Sequence, residues 1–184
     1  MALTESTMLE LGTTAPDFAL LDVVSGNLVR RDDFRGQKGL LIMFICAHCP
    51  YVKHIEKALA ELGADYIGKL GIVAISSNDA DSYPDDGPAG LKRQAQTMGF
   101  EFPYLYDETQ HVARAYKAAC TPDLYLFDDA MKLVYRGQFD GSRPGNGVPV
   151  TGKDLRAALD SELRGEKLSV DQRASVGCNI KWKS

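Results

Sequence analysis

Apolar runs of strand length alternate along this chain with stretches of helical periodicity. The run Leu40–Ile45 fits a central strand buried on both faces, and Gly71–Ser76 is a second run of the same kind. Between them, apolar residues recur at near-helical spacing from Pro50 to Ile67, and Pro50 falls in the first turn, where its missing N–H costs nothing. The pattern predicts a strand, a helix and a second strand in direct succession.

The rest of the chain continues this order. Ser25-Gly26 lies between two short strand-like segments and predicts an N-terminal hairpin. Thr151 is expected to cap a last helix that runs to about Arg164, with Asp154 at the capping-box position. The elements in between are predicted as a helix at 89–98, a strand at 104–106, a helix at 110–117 and a hairpin of 124–127 with 131–138. This order is typical of a three-layer α/β protein.

Residues 78–90 are rich in Asp, Gly and Pro and predict a surface loop. An EF-hand calcium loop needs glycine at its sixth position, where Pro84 stands if Asp79 is taken as the first. A calcium site is therefore not expected, and the interpretation is a solvated acidic loop. Its carboxylates belong to Asp79, Asp81, Asp85 and Asp86.

The chain contains no internal repeat, low-complexity segment or linker. With 184 residues it is long enough for one full hydrophobic core, so we predict a single domain over residues 1–184. Residues 165–184 form a tail that is expected to dock on this domain. Ile180 and Trp182 are the tail side chains whose burial would hold it there.

Composition and charge exclude several function classes. Hydrophobic residues make up 45% of the chain and charged residues 25%, an ordinary globular balance, and the formal net charge is -4. The scattered basic residues argue against a nucleic-acid partner, which requires clustered positive charge. No run reaches the roughly 18 apolar residues that a membrane span needs, and the first residues lack the pattern of an export signal. These observations predict a cytoplasmic protein without a membrane partner.

Two of the four cysteines stand where the first buried strand meets the first helix, in Cys46-Ala47-His48-Cys49. In a chain with few cysteines, this spacing indicates redox or metal chemistry. A helix N-terminus stabilises a thiolate, and His48 adds positive charge or a hydrogen bond. Because the thiolate is the attacking species, we predict that Cys46 attacks a disulfide and that Cys49 resolves the mixed disulfide.

Three motifs together resemble the thioredoxin superfamily: the dithiol followed by Pro50, the segment 14–18 (Thr-Ala-Pro-Asp-Phe) and Thr121-Pro122 before a hairpin. Within it, the chain is most similar to a peroxiredoxin-like, AhpC/TSA-type branch that carries a Cys-x-x-Cys motif, and also to the TlpA/ResA group of thiol oxidoreductases. The resemblance runs from about Leu11 to Leu163. It implies a thioredoxin-like three-layer α/β/α sandwich with a central mixed sheet and an N-terminal hairpin extension.

The resemblance also implies roles for Thr121 and Pro122. In thioredoxins a cis proline stands opposite the dithiol, so Pro122 would shape a substrate groove and Thr121 would offer its backbone for strand-like pairing with a substrate. The implied activity is thiol–disulfide exchange on protein or small-molecule disulfides. It needs an external thiol donor but no cofactor, in a monomer or a dimer.

Two other functions stay open at this stage. The first is a thiol peroxidase in which Cys49 is the thiolate that attacks peroxide. Peroxiredoxins place Pro and Thr seven and three residues before that cysteine, and here these positions hold Ile42 and Cys46, while their active-site Arg aligns near Pro122. These departures disfavour efficient peroxidase activity. The second is a redox-silent binding module. The buried acid of thioredoxin is also replaced, by Leu40.

Cys120 and Cys178 are candidate accessory thiols. Cys120 directly precedes Thr121-Pro122, and Cys178 lies in the tail, where a C-terminal resolving cysteine is one interpretation and simple packing is another. A structural zinc site commonly has four ligands from two Cys-x-x-Cys pairs, and these two cysteines do not form a second pair. No metal site is therefore predicted.

Overall fold

The computed structural model describes residues 3–184 and is built around a five-stranded mixed sheet. The strand order is β6-β5-β4-β8-β9, in which β4 pairs parallel with β5 and antiparallel with β8. The bounds are β4 Gly39–Phe44, β5 Gly71–Ser76, β6 Tyr104–Tyr106, β8 Asp123–Asp128 and β9 Leu133–Gly137. Because β4 and β5 lie inside the sheet and are covered on both faces, they are apolar along their whole length.

Helices cover both faces of this sheet. Side chains at alternate positions of β4 point to opposite faces, so Leu41 and Met43 face one layer while Leu40 and Ile42 face the other. The first layer contains α1 Pro50–Tyr66, α2 Pro88–Met98 and α4 Lys153–Leu163, and the second contains α3 His111–Ala115 with the N-terminal segment. The predicted three-layer fold is confirmed.

Two smaller sheets complete the fold. The predicted N-terminal hairpin is present as β2 Ala19–Leu21 paired antiparallel with β3 Leu28–Arg30. A three-stranded sheet in the order β1-β10-β7 joins β1 Leu3–Glu5, β10 Val176–Asn179 and β7 Cys120–Thr121. The tail thus contributes β10, the central strand of this sheet, between β1 and β7. Ile180 is buried, whereas Trp182 is 39% exposed and lies against the guanidinium of Arg114.

The start of α4 differs from the prediction. The predicted N-cap was Thr151, but the observed N-cap is the next residue, Gly152, in the left-handed region with φ 67°. The buried carboxylate of Asp140 accepts the backbone N–H groups of Thr151 and Gly152 at 2.7 and 2.6 Å. Asp154 accepts a hydrogen bond from Gln138 and does not close a capping box. The hydroxyl of Thr151 accepts the backbone N–H of Lys153 at 3.3 Å, so Thr151 and the buried carboxylate of Asp140 together order the start of α4.

Gly177 in β10 lies so close to β7 that no side chain fits there. A Cβ on this residue would sit 2.0 Å from the carbonyl oxygen of Thr121 and 3.2 Å from Cδ of Pro122. We expect Gly177→Ala to push β10 off β7 and to speed hydrogen exchange of the amides at 176–180 by about 10-fold or more. Gly141→Ala is the matched control because a Cβ there meets nothing within 4 Å. Equal exchange in the two variants would contradict the close packing.

Within residues 3–184, no helix is long and apolar enough to cross a membrane.

Candidate active site

The dithiol lies at the carboxyl end of β4, where the chain turns into α1. Cys46 follows the strand by two residues, and Cys49 is the N-cap of the helix that begins at Pro50. Both sulfur-bearing side chains are 0% exposed and belong to the apolar layer beneath α1. The predicted strand, turn and helix thus bring both cysteines to the edge of the sheet where open α/β folds carry their sites.

Thr121, at the end of β7, and Pro122, which follows it, face the dithiol, and the peptide bond between them is cis, as the resemblance implied. The hydroxyl of Thr121 lies 3.4 Å from Sγ of Cys46, and its carbonyl oxygen lies 3.3 Å from Sγ of Cys49. Thr121 therefore contacts both sulfurs. It lies 75 positions from Cys46 and 72 from Cys49, so the sequence alone does not show these contacts.

The electrostatics favour the thiolate on Cys49, whereas the sequence-based prediction gives the attack to Cys46. A hydrogen bond from the Cys46 thiol, opposed by burial and aided by Cys178, lowers the pKa of Cys49 from 9.0 to about 5. Burial, the hydrogen bond to Cys49 and the charge of Asp86 raise the pKa of Cys46 well above its usual value. The N-cap of α1 is Cys49, so the positive end of the helix dipole lies closest to that cysteine.

His48 is held by a carboxylate that the sequence placed in solvent. Its Nδ1 contacts Asp86, which also accepts the backbone N–H groups of Ala47 and His48 at 2.8 and 3.0 Å. The amide of Asn78 donates to the same carboxylate at 2.8 Å. Burial alone would raise the pKa of Asp86, but the bonds from His48, Asn78 and the backbone outweigh it and the pKa is lowered.

Asp86 is the main site residue that sequence reasoning missed. It is fully buried, so the interpretation of its loop as uniformly solvated is wrong at this position, while the side chain of Asp85 next to it is 74% exposed. The short 3₁₀ turn Pro84–Asp86 brings the carboxylate inward, and Tyr83 stacks on His48 with ring centroids 4.8 Å apart. The two acids differ in their contacts with residues 8, 38 and 39 positions earlier, and these leave no local pattern.

Three groups at the dithiol could also hold a metal ion. One ligand atom each of Cys46, His48 and Asp86 lies within 4.8 Å of the others. His48 and Asp86 already bind each other, and Asp86 accepts three further N–H groups. These four contacts occupy the lone pairs of the Asp86 carboxylate that a metal ion would need, so its role here is to hold the turn.

A second polar network lies under Cys46. Gln94 donates to the carbonyl oxygen of Cys46 at 3.3 Å and to the carboxylate of Glu56 at 2.8 Å, and Tyr104 donates to the Gln94 side-chain oxygen at 3.1 Å. Leu40 stands where thioredoxin has its buried acid. Here Glu56, on α1, is the carboxylate joined to the dithiol backbone through one amide.

The accessory thiols have different surroundings. Sγ of Cys178 lies 2.7 Å from Sγ of Cys49, whereas Sγ of Cys120 lies 3.6 Å from the carbonyl oxygen of Pro122. In the register of the small sheet, Cys178 is opposite Thr121 and Asn179 is opposite Cys120. The backbone edge that was predicted to pair with a substrate is therefore already paired with the chain's own tail.

Two cavities adjoin this region differently. One of about 10 Å³ lies next to Pro122, between His54, Ser142 and Val176, and Nε2 of His54 lies 2.7 Å from Oγ of Ser142. A larger groove of about 510 Å³ runs between α4 and residues 167–173 and contains none of the predicted site residues. The dithiol itself is covered and opens into neither.

The pKa of Cys49 has a measurable pH consequence. Because it is lower in the folded chain than the usual 9.0, ionisation stabilises the fold increasingly as pH rises from about 5 to 9, and this contribution is lost as pH falls through about 5. We expect the thiolate absorbance of the reduced protein to rise near pH 5. The step should vanish in Cys49→Ala and persist in Cys120→Ala; a step that survives in Cys49→Ala would contradict the assignment.

Comparison with known proteins agrees with this architecture. The thiol–disulfide oxidoreductase ResA of Geobacillus kaustophilus is 30% identical over 125 residues, which cover 68% of this chain and 67% of that protein. An uncharacterized conserved protein of the same species is 54% identical with a TM-score of 0.97, covering 100% of this chain and 97% of the other.

A putative thiol:disulfide interchange protein DsbE from Chlorobium tepidum shares the fold, with a TM-score of 0.67 at 22% identity over 84% of this chain and 99% of that one. The AhpC/TSA family model matches residues 11–136, more than half of the chain. This protein therefore belongs to the AhpC/TSA family, on a thioredoxin fold.

Proposed function

We propose that this protein is a thiol–disulfide oxidoreductase that works through Cys46 and Cys49. The observation that carries the proposal is the lowered pKa of Cys49, about 5, beside a second thiol and opposite Thr121-Pro122. A thiolate at neutral pH next to a protonated thiol is what disulfide exchange requires. The similarity to ResA, a protein named for this activity, supports the same conclusion.

In the proposed cycle, the thiolate of Cys49 attacks a substrate disulfide and forms a mixed disulfide. Cys46, which has been donating a hydrogen bond to that sulfur, then gives up its proton and attacks Sγ of Cys49. The substrate leaves with both sulfurs reduced, and a Cys46–Cys49 disulfide remains. An external thiol donor reduces it again, so no cofactor takes part.

Both sulfurs are buried, so exchange with a protein substrate requires a local opening. The covering segments are the turn that carries Tyr83 and the strand β10, and each rests on the site through a few specific contacts. Small-molecule disulfides need a smaller opening than protein disulfides. We include both classes as substrates and expect the small ones to react faster.

The test is catalysed reduction of insulin and of oxidised glutathione with dithiothreitol as the donor. We expect turnover above the uncatalysed rate in the wild type and in Cys120→Ala, and none in Cys46→Ala/Cys49→Ala. Circular dichroism confirms that each variant is folded. If the folded wild type reduced neither substrate faster than dithiothreitol does alone, the proposed function would be contradicted.

Peroxide reduction is the second candidate, because the same low pKa of Cys49 suits it to attack peroxide and the chain belongs to the AhpC/TSA family. The nearest charged group in the dithiol turn is the carboxylate of Asp86 and not a cation that would stabilise a leaving hydroxide. Peroxide consumption faster than insulin reduction in the same preparation would favour this candidate.

A further inference from the structure

The C-terminal strand occupies the place that a substrate strand was expected to take. β10 pairs antiparallel with β7, with Cys178 opposite Thr121, and Gly177 packs directly on the Thr121 carbonyl. Such pairing next to the dithiol is the arrangement expected of a bound peptide, in which main-chain hydrogen bonds fix the register. A cysteine of the chain itself is thereby carried into the site.

This cysteine lies against the attacking sulfur. Sγ of Cys178 is 2.7 Å from Sγ of Cys49, less than one ångström beyond a disulfide bond length of about 2.05 Å. Cys178 is only 4% exposed, so no solvent separates the two. Strand pairing on both edges of β10, with β1 and β7, fixes this approach.

We propose that Cys178 is a third redox thiol, which converts the Cys46–Cys49 disulfide into a Cys49–Cys178 disulfide. This inference rests on the proposed function, because that activity supplies the first disulfide. Deprotonated Cys178 attacks Sγ of Cys49, the Cys49–Cys178 bond forms and the Cys46–Cys49 bond breaks. The electron pair leaves on Cys46, which takes up the proton that Cys178 released. One disulfide is exchanged for another, so no external oxidant or reductant is consumed.

The surroundings of Cys46 favour this exchange once it has begun. Burial and the neighbouring Cys49 sulfur raise the pKa of Cys178 to about 12 in the reduced protein, so the small deprotonated fraction of Cys178 is what attacks. Released Cys46 lies beside the charged Asp86 and is protonated at neutral pH, because burial and that charge raise its pKa. Protonation removes the thiolate that would attack in the reverse direction. One ring nitrogen of His48 lies within 4.8 Å of Sγ of Cys46, and its Nε2 is buried without a hydrogen-bond partner.

The new disulfide would also tie β10 into the groove. While it persists, a covalent link is added to the strand pairing that the reduced chain already shows, so Thr121 cannot pair with a substrate. The oxidised protein would therefore hold its own tail where a substrate binds.

Disulfide mapping tests the proposal. The full chain is oxidised with one equivalent of diamide, quenched in acid, alkylated and digested with pepsin without reduction, which limits disulfide scrambling. We expect a peptide pair joining Cys49 to Cys178 with Cys46 alkylated. It should fall to background in Cys178→Ala and remain at wild-type level in Cys120→Ala. In Cys46→Ala, which has no Cys46–Cys49 disulfide to exchange, it should form more slowly, by direct oxidation of Cys49 and Cys178 with diamide.

The outcomes separate this inference from the proposed function. If the wild type turns over insulin and shows only the Cys46–Cys49 disulfide, with Cys178 fully alkylated, the inference is overturned and the function stands. A Cys49–Cys178 link found only between two chains, as a dimer on a non-reducing gel, also overturns it. If insulin is not reduced and no Cys46–Cys49 disulfide forms in Cys178→Ala, the proposed function itself fails.

Discussion

Cys49→Ala should lose insulin reduction by about 10³-fold or more, because it removes the thiolate that attacks the substrate. We propose this role for Cys49 because it is the N-cap of α1 and its pKa is lowered, whereas the sequence-based prediction gives it to Cys46. Cys46→Ala should lose less. It removes the hydrogen bond that contributes most to lowering the pKa of Cys49, but it leaves the attacking sulfur in place.

The comparison of these two variants decides the order of attack. Initial rates with insulin are measured for both, with Cys120→Ala as the matched buried-cysteine control. The sulfur of Cys120 has the carbonyl oxygen of Pro122 as its neighbour, and its pKa is raised by burial, so its removal should leave the rate unchanged. Full activity in Cys49→Ala together with an inactive Cys46→Ala would restore the order predicted from sequence.

Asp86→Ala should reduce the free energy of unfolding by about 3–5 kcal/mol, the usual cost of removing one partner of a buried charged pair. The substitution leaves the N–H groups of Ala47 and His48 and the amide of Asn78 without their acceptor. Asp86→Asn keeps one acceptor oxygen and should cost less. It also removes the charge that raises the pKa of Cys46, which should therefore fall.

Urea denaturation at pH 7 measures this loss. The matched control is Asp85→Ala, since this neighbouring carboxylate is exposed and its one ion pair, to Arg93, spans 3.6 Å between exposed side chains. Its effect should stay within about 0.5 kcal/mol. A loss below about 1 kcal/mol in Asp86→Ala would show that the buried carboxylate does not organise the dithiol turn.

The parts of this site that the sequence predicted are those with a local signal. The apolar run before Cys46 and the helical spacing after Pro50 place both cysteines at a strand–helix junction without any tertiary information. The end of α2 was also predictable, because Gly99 adopts φ 72°, a conformation that glycine reaches at little cost.

The parts that were missed depend on contacts between distant segments. Asp86 has the same local context as the exposed Asp85, and its bonds to Ala47 and His48, 39 and 38 positions earlier, make it part of the site. β10 shows no alternation of apolar and polar residues, because it lies between two strands and its central glycine is required by close packing. A pattern based on side chains cannot detect a strand that is defined by backbone contact.

The lowered pKa of Cys49 affects the equilibrium more than the rate. At pH 7, lowering a thiol pKa from 9.0 to about 5 raises the thiolate fraction about 100-fold, but intrinsic nucleophilicity falls by a similar factor. The two effects on attack nearly cancel. The stabilisation of the reduced form is not cancelled. At pH 7, ionisation of a thiol that would otherwise ionise about two pH units higher stabilises the reduced form by about 3 kcal/mol. This corresponds to a reduction potential about 60 mV higher than that of a couple with unshifted thiols.

The central claim is that Cys46 and Cys49 form a dithiol that cycles. Equilibrium titration of Cys178→Ala in glutathione redox buffers at pH 7, followed by mapping of the Cys46–Cys49 disulfide, tests it most directly. We predict one two-electron transition, on the oxidising side of thioredoxin, about −270 mV. A folded Cys178→Ala variant that shows no two-electron transition between about −120 and −300 mV would contradict the account.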